Sequence, residues 1–219
     1  MLEFGPVRHI DEKDSSQYEF GETLMRYGLT NTIEFQMSYS PHIVVRLKQP
    51  IAGQRRTLRG AGDLTGAVKA NLLNPDGNGT SVAIQAFATA PTGGKGIGAG
   101  AWEGGAIVPI SFELSDKLGL TLDPEIDYRA DEDGQGHHVA LAGVASLGRD
   151  LGSGFEGSAE VWSMVHREPG NRRTEASFDL ALAWSPENRN NVQFDAEVDF
   201  GLTHDTPRSE MTAGVAVRF

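Results

Sequence analysis

Residues 192–202 read Val-Gln-Phe-Asp-Ala-Glu-Val-Asp-Phe-Gly-Leu, and this stretch decides the fold class. Its even positions are apolar, whereas the odd positions from Gln193 to Asp199 are polar or acidic. A period of two residues places the two sets on opposite faces of a β-strand. Residues 174–184, 118–129 and 32–40 alternate in the same way. The pattern therefore predicts a protein built from strands with one apolar and one polar face.

Alternation continues along the whole chain, and no stretch has a convincing helical period. About twelve strands of about ten residues result, which is the length that crosses a bilayer at a tilt. We predict one all-β domain over residues 1–219, a transmembrane antiparallel up-and-down β-barrel of about twelve strands. The remaining, less regular strands are predicted at residues 2–9, 18–28, 62–72, 81–90, 105–115, 137–147, 155–166 and 209–219.

The connections between these strands alternate between short and long. The short ones are rich in Gly, Asn, Asp and Pro, as tight turns require, and lie at residues 28–31, 74–79, 116–119, 148–152 and 185–190. The longest lie at residues 49–59, 91–104 and 130–136. Short periplasmic turns and long extracellular loops are typical of outer-membrane barrels. The pattern predicts an even number of strands with both termini on the periplasmic side.

The last predicted strand carries a further signal. The polar, glycine, apolar and terminal aromatic spacing of Thr212, Gly214, Val217 and Phe219 resembles the C-terminal signal that bacterial barrel-assembly machinery reads. We predict that these four residues form an assembly signal, with that machinery and outer-membrane lipids as partners. An ordinary amphipathic strand is the alternative interpretation of the same residues.

Composition excludes several classes of function. The chain has no cysteine, which excludes thiol catalysis, disulfides and thiolate metal sites. Its formal net charge of -11 argues against nucleic acid as a partner, because binding phosphates requires a basic surface. A hydrophobic fraction of 39% is low for a helical membrane protein, but a membrane barrel needs no long apolar run.

Alternation alone leaves the orientation of the two faces open. A soluble ligand-binding barrel would turn its apolar face inward, and a membrane barrel would turn it toward lipid. The last strand, the asymmetry of turns and loops, and the many Ala and Gly residues on the apolar face favour the membrane barrel. A soluble barrel or a non-transporting structural or surface barrel remain the alternatives.

Three segments resemble a known family. Residues 22–34, Glu-Thr-Leu-Met-Arg-Tyr-Gly-Leu-Thr-Asn-Thr-Ile-Glu, are similar to a recurring segment of the MetA-pathway phenol-degradation family of outer-membrane transporters. Residues 60–69 and 90–93 resemble two further segments of that family, in the same order. Asn31 and Ala90 depart from its usual residues. The resemblance implies a barrel pore in the outer membrane, encoded alongside the catabolism of aromatic compounds, with no catalytic residues to assign.

Motifs for other functions are weak. Gly93-Gly-Lys-Gly-Ile-Gly98 lacks the Ser or Thr of a phosphate-binding loop and is predicted to be a flexible extracellular loop. Ser163 and His166 are three apart on a strand and therefore point to opposite faces. The acidic stretch Asp131-Glu132-Asp133, with His137 and His138, could hold a divalent cation or could simply be solvated. We predict no enzyme and no cofactor.

The polar face supplies the candidate site, the lumen. Acidic residues outnumber basic ones there, and those of the last three strands should form one negative wall that concentrates cations. Basic residues such as Arg26 could instead neutralise it in a network that plugs the barrel. The predicted pore-lining residues are Glu34, Asp63, Lys69, Glu113, Asp123, Glu125, Asp127, Arg129, Glu175, Asp179, Asp195, Glu197, Asp199, Glu210 and Arg218.

These observations predict a monomeric channel in the bacterial outer membrane for passive uptake of small molecules, among them aromatic or other hydrophobic compounds. Diffusion through a pore involves no chemistry, so no cofactor is needed.

Overall fold

The protein is an all-β, closed antiparallel barrel. The computed structural model describes all residues except 51–55, 76–78, 132, 169, 188 and 190. No helix in this part of the chain is long and apolar enough to cross a membrane. The strand segments are β1 (Leu2–Asp11), β2 (Ser15–Gly28), β3 (Ile33–Tyr39), β4 (His42–Leu47), β5 (Thr57–Gly60), β6 (Leu64–Leu73), β7 (Ser81–Ala90), β8 (Glu103–Ile107), β9 (Ile110–Ser115), β10 (Leu118–Ala130), β11 (His137–Gly152), β12 (Phe155–Glu168), β13 (Asn171–Trp184), β14 (Val192–Gly201) and β15 (Ser209–Val217).

Three pairs of segments each form one interrupted strand. β3 and β4 both pair with β2, and β8 and β9 both pair with β10. β5 and β6 form the third interrupted strand, which pairs with β4 and β3. Pro41 and Pro109 lie in two of the interruptions, and a proline nitrogen cannot donate to the strand ladder. Counting each pair once, 12 strands form the sheet, which closes because β1 pairs with both β2 and β15. The predicted twelve-strand barrel is confirmed.

Two predicted boundaries are wrong. β4 and β5 were not recognised, because residues 43–45 form an uninterrupted apolar run instead of an alternating one. Residues 57–59 of the predicted loop 49–59 therefore belong to β5, and residues 51–55 of that loop lie outside the described residues. The predicted turn at 148–152 is also strand, because the ladder of β11 with β12 continues to Gly152. The reversal follows at Ser153 and Gly154, with φ of 55° and 79°.

The apolar face of the sheet points outward. Phe194, Phe200 and Leu180 are 47%, 46% and 43% exposed, although a soluble domain would bury such side chains. They are joined by the exposed rings of Phe155 and Trp184, which stack with centroids 5.9 Å apart. An apolar outer surface matches a barrel in lipid, and it removes the alternative of a soluble barrel with an apolar interior. The polar face correspondingly lines the lumen.

Candidate functional site

The inner wall carries a row of closely spaced acids on β12 to β15. In the strand register Asp179 lies opposite Asp199, and Asp199 lies opposite Glu210. Glu160 lies opposite Asp179 on its other side. A cavity of about 440 Å³ is lined by these residues together with Glu175, Glu197 and Trp162. We call Glu160, Glu175, Asp179, Glu197, Asp199 and Glu210 the acidic row.

One arginine faces this row, and sequence reasoning missed it. Arg8 Nε lies 2.5 Å from Glu210 Oε1, and its Nη1 lies 3.9 Å from Glu19 Oε1. Among the described residues that line the cavity, Arg8 is the only cation. The register of β1 against β15 shifts between Phe4 and Val7, which breaks the alternation from which a facing direction is inferred. The predicted negative wall is therefore paired with Arg8 at Glu210 and with Arg173, 3.5 Å away, at Glu175, while the acids of the row outnumber these two charges.

At the end of the barrel that carries Leu2 and Val217, the predicted residues meet a second set of charges. Arg26 lies 2.9 Å from Glu34 and 3.4 Å from Glu3. Lys69 lies opposite Glu34 in the strand register. A cavity of about 370 Å³ is lined there by Asp195, Arg218 and their neighbours. Positive and negative groups are thus mixed at this end of the lumen.

On β10 the predicted inward residues are two positions apart, so they lie on one face of the strand. Asp123, Glu125 and Asp127 follow one another along it, and Asp127 is buried at 3% exposure. Arg129 places Nη1 3.7 Å from Asp127 and Nη2 3.9 Å from Glu103. Three acids and one base therefore occupy this side of the wall.

Glu113 and Asp63 mainly hold backbone in place. Glu113 accepts a hydrogen bond from the Gly79 nitrogen at 3.0 Å. Asp63 accepts hydrogen bonds from the nitrogens of Gly93 at 2.6 Å and Ala99 at 2.7 Å. Each carboxylate therefore holds backbone nitrogens in a connection between strands, in addition to carrying charge.

The loop held by Asp63 folds along the inner wall. Gly60 lies opposite Ile43, which is 5% exposed and lies opposite the inward Glu19. A side chain at Gly60 would come within 3.0 Å of Ile97 Cδ1, and the Gly94 nitrogen donates to Ala61 O at 2.8 Å. Residues 93–98, which we call the inner loop, were predicted to be a flexible extracellular loop. That prediction misses the inward fold, because the tethering carboxylate is thirty residues away in sequence.

We expect Asp63→Ala to free the inner loop and raise single-channel conductance. The substitution removes two hydrogen bonds to a charged acceptor, each worth about 1.5 to 3 kcal/mol. Conductance of the refolded variant in planar bilayers is the measurement. Asp133→Asn is the matched control, since the hydrogen bond that Asp133 accepts among the described residues comes from Gln135 in its own exposed loop. Unchanged conductance of Asp63→Ala would show that the inner loop does not restrict the pore.

A chain of buried polar groups crosses β11 to β13 near the loop at residues 131–136. Asp131 lies 2.8 Å from His138, His138 lies 2.9 Å from His166, and His166 lies 3.1 Å from Glu175. Ser163 points away from this chain and donates to the backbone oxygen of Glu175 at 3.0 Å. Sequence spacing could not reveal the chain, because pairing of neighbouring strands brings its members together.

The residues of the predicted assembly signal lie in β15 and just beyond its last residue. Thr212 lies opposite Glu197, and Gly214 lies opposite Asp195, both on the inward face. Val217 is the last residue of β15, and Phe219 beyond it is 97% exposed.

Comparison with known proteins identifies the family. A family model described as "Putative MetA-pathway of phenol degradation" matches residues 8–219. The chain belongs to this family. The resemblance noted from three sequence segments is thereby confirmed. No curated protein sequence matches the chain.

Solved structures similar to this member of the phenol-degradation family include an outer-membrane channel and two porins. The COG4313 outer membrane channel from Pseudomonas putida F1 superposes with a TM-score of 0.75 at 14% identity, covering 99% of this chain and 94% of that one. The NanC porin gives a TM-score of 0.70 at 10% identity, with both chains covered completely. The KdgM porin in complex with disordered oligogalacturonate gives 0.61 at 10% identity, with 99% of each chain covered. At these identities the likeness shows the fold, which is that of a porin-like barrel.

Proposed function

We propose that the protein is an outer-membrane channel for passive uptake of small neutral or cationic molecules. The observation that carries the proposal is the acidic row, which places several carboxylates beside one arginine along a cavity of about 440 Å³. Carboxylates that line a pore attract cations and repel anions. The proposal also includes lipid around the exposed apolar outer face, the barrel-assembly machinery as a partner, and a monomeric state.

The proposed permeants include aromatic compounds. Trp162 lies on the inner wall beside the acidic row, and it offers an aromatic surface next to negative charge. Membership of a family described by phenol degradation supports the same class of solute. The KdgM structure contains an oligogalacturonate, whose repeated carboxylates would be repelled by the acidic row. We therefore expect phenol-like neutral solutes and small amines to pass faster than aromatic carboxylates.

Liposome swelling tests this proposal. Vesicles containing the refolded protein should swell in phenol-like, sugar and amine solutes, and more slowly in a carboxylate of the same size. Protein-free vesicles give the rate of direct permeation through lipid, which must be subtracted for apolar solutes. Equal swelling with and without protein for every solute would refute uptake.

A closed surface barrel is the second candidate. It is favoured by the inner loop and by the ion pairs of Arg8, Arg26 and Arg129, which lie along the inner wall within or between neighbouring strands. Side chains in a barrel of about twelve strands are long enough to narrow the lumen strongly. In that case no solute would produce more swelling than protein-free vesicles show, and Asp63→Ala would open the barrel.

A further inference from the structure

Two buried histidines lie between carboxylates on the inner wall, at the end of the barrel opposite Leu2 and Val217. The side chains of His138 and His166 are 1% and 2% exposed. Asp131 contacts Nδ1 of His138, and Glu175 lies beside Nε2 of His166. We call this series Asp131, His138, His166 and Glu175 the histidine chain.

The neighbours of His166 favour one protonation pattern of its ring. Arg173 places Nη2 3.5 Å from His166 Nδ1, and a guanidinium has only donors, which favours Nδ1 as an acceptor. The proton of a neutral His166 ring is then on Nε2. That atom is buried and has no hydrogen bond of good geometry among the described residues, but Oε1 of Glu175 is 3.1 Å from it.

With this assignment, the contact between His138 and Asp131 requires a positive charge that two neutral imidazole rings do not supply. Because His166 Nδ1 accepts, Nε2 of His138 at 2.9 Å must donate. A neutral His138 then has only a lone pair on Nδ1, and that lone pair faces Asp131 Oδ1 at 2.8 Å. Two acceptors at this distance repel each other, so the pair needs a cation. The side chain of Glu168, 10% exposed, brings a second carboxylate to the same place.

We propose that Asp131, His138 and Glu168 bind a divalent metal ion of the Zn²⁺ class. One donor atom from each residue lies within 4.8 Å of the other two. An imidazole nitrogen with two carboxylates suits zinc better than calcium, which prefers oxygen ligands alone. A metal on Nδ1 keeps the proton of His138 on Nε2, which is the arrangement that His166 requires.

The rest of the histidine chain supports such a site. A histidine that binds a metal commonly donates its other ring N–H to a neighbouring acceptor, which orients the ring. Here the acceptor is His166, which has Arg173 beside the same ring nitrogen and Glu175 beside the other one. Glu168 also has Asn171 Nδ2 at 3.1 Å and Arg173 Nη1 at 3.9 Å from Oε2. The metal would share Glu168 with these groups and would connect the loop at residues 131–136 to β12.

Direct zinc binding by the refolded barrel in detergent tests the proposal. Protein without a histidine tag is titrated with ZnCl2 against a chromophoric chelator, and Co²⁺ absorption reports the ligand set. We expect one equivalent to bind, with no displacement by Ca²⁺. His138→Gln and Asp131→Asn should abolish binding. His166→Gln should weaken it by about 10- to 100-fold, the usual effect of losing an orienting partner.

His204→Gln is the matched control, because His204 has a side chain 78% exposed on a different loop. It should leave zinc binding unchanged. The gel-mobility shift of heated against unheated barrel shows whether each variant is folded. Absence of stoichiometric zinc binding by the wild type, or equal binding by wild type and Asp131→Asn, would overturn the proposal.

Discussion

Replacing Val198 by arginine is expected to block assembly of the barrel or to lower its free energy of unfolding by about 2 to 4 kcal/mol. Val198 lies opposite Leu180 and Met211 in the strand register, on the face that carries Phe194 and Phe200. A guanidinium near the middle of the bilayer loses its hydration, and the lipid offers no partner. Urea titration of protein folded in vesicles, followed by tryptophan fluorescence, is the measurement.

Val192→Arg is the matched control for this experiment. Val192 is on the same face of β14, but it is the first residue of the strand and pairs with Val217, the last residue of β15. An arginine close to the interface can reach water, so its expected cost falls to about 0 to 1 kcal/mol. Equal stability of wild type and Val198→Arg would show that this face does not contact lipid.

The second large effect is expected in ion selectivity. Neutralising Asp195, Glu197 and Asp199 together, to Asn, Gln and Asn, should remove most of the cation preference of the open channel. Asp199 lies between Asp179 and Glu210, and Glu197 lines the same cavity. The preference of the wild type should itself shrink as the Debye length falls from about 30 Å at 0.01 M salt to about 3 Å at 1 M. Reversal potentials under a salt gradient measure both effects.

A control triple variant separates local from general charge. Asp116→Asn, Asp133→Asn and Glu187→Gln change the net charge equally, but these residues are exposed in connections between strands. The reversal potential of this control variant should match that of the wild type. If both triple variants lose selectivity to the same extent, the acidic residues on β14 have no special role.

The sequence was sufficient to predict the barrel because a strict period of two residues identifies a strand and also the face on which each of its side chains lies. Residues 192–202 show this, since β14 spans Val192–Gly201 with Phe194 and Phe200 outward. Where the alternation breaks, the predictions from it fail. The inward direction of Arg8 was missed because Arg8 follows a register shift in β1, and β4 was missed because it contains an apolar run. Contacts set by tertiary structure were not accessible from the sequence. Asp63 and the inner loop, and the histidine chain, join residues that only the closed sheet brings together.

Planar-bilayer recording of the wild-type protein tests the central claim, an open lumen with an acidic wall, most directly. We predict discrete conductance steps and a reversal potential that reports cation preference at low salt. Absence of conductance, or a preference for anions, would contradict the account. The ion pairs of Arg8, Arg26 and Arg129 would then be read as a plug that closes the barrel.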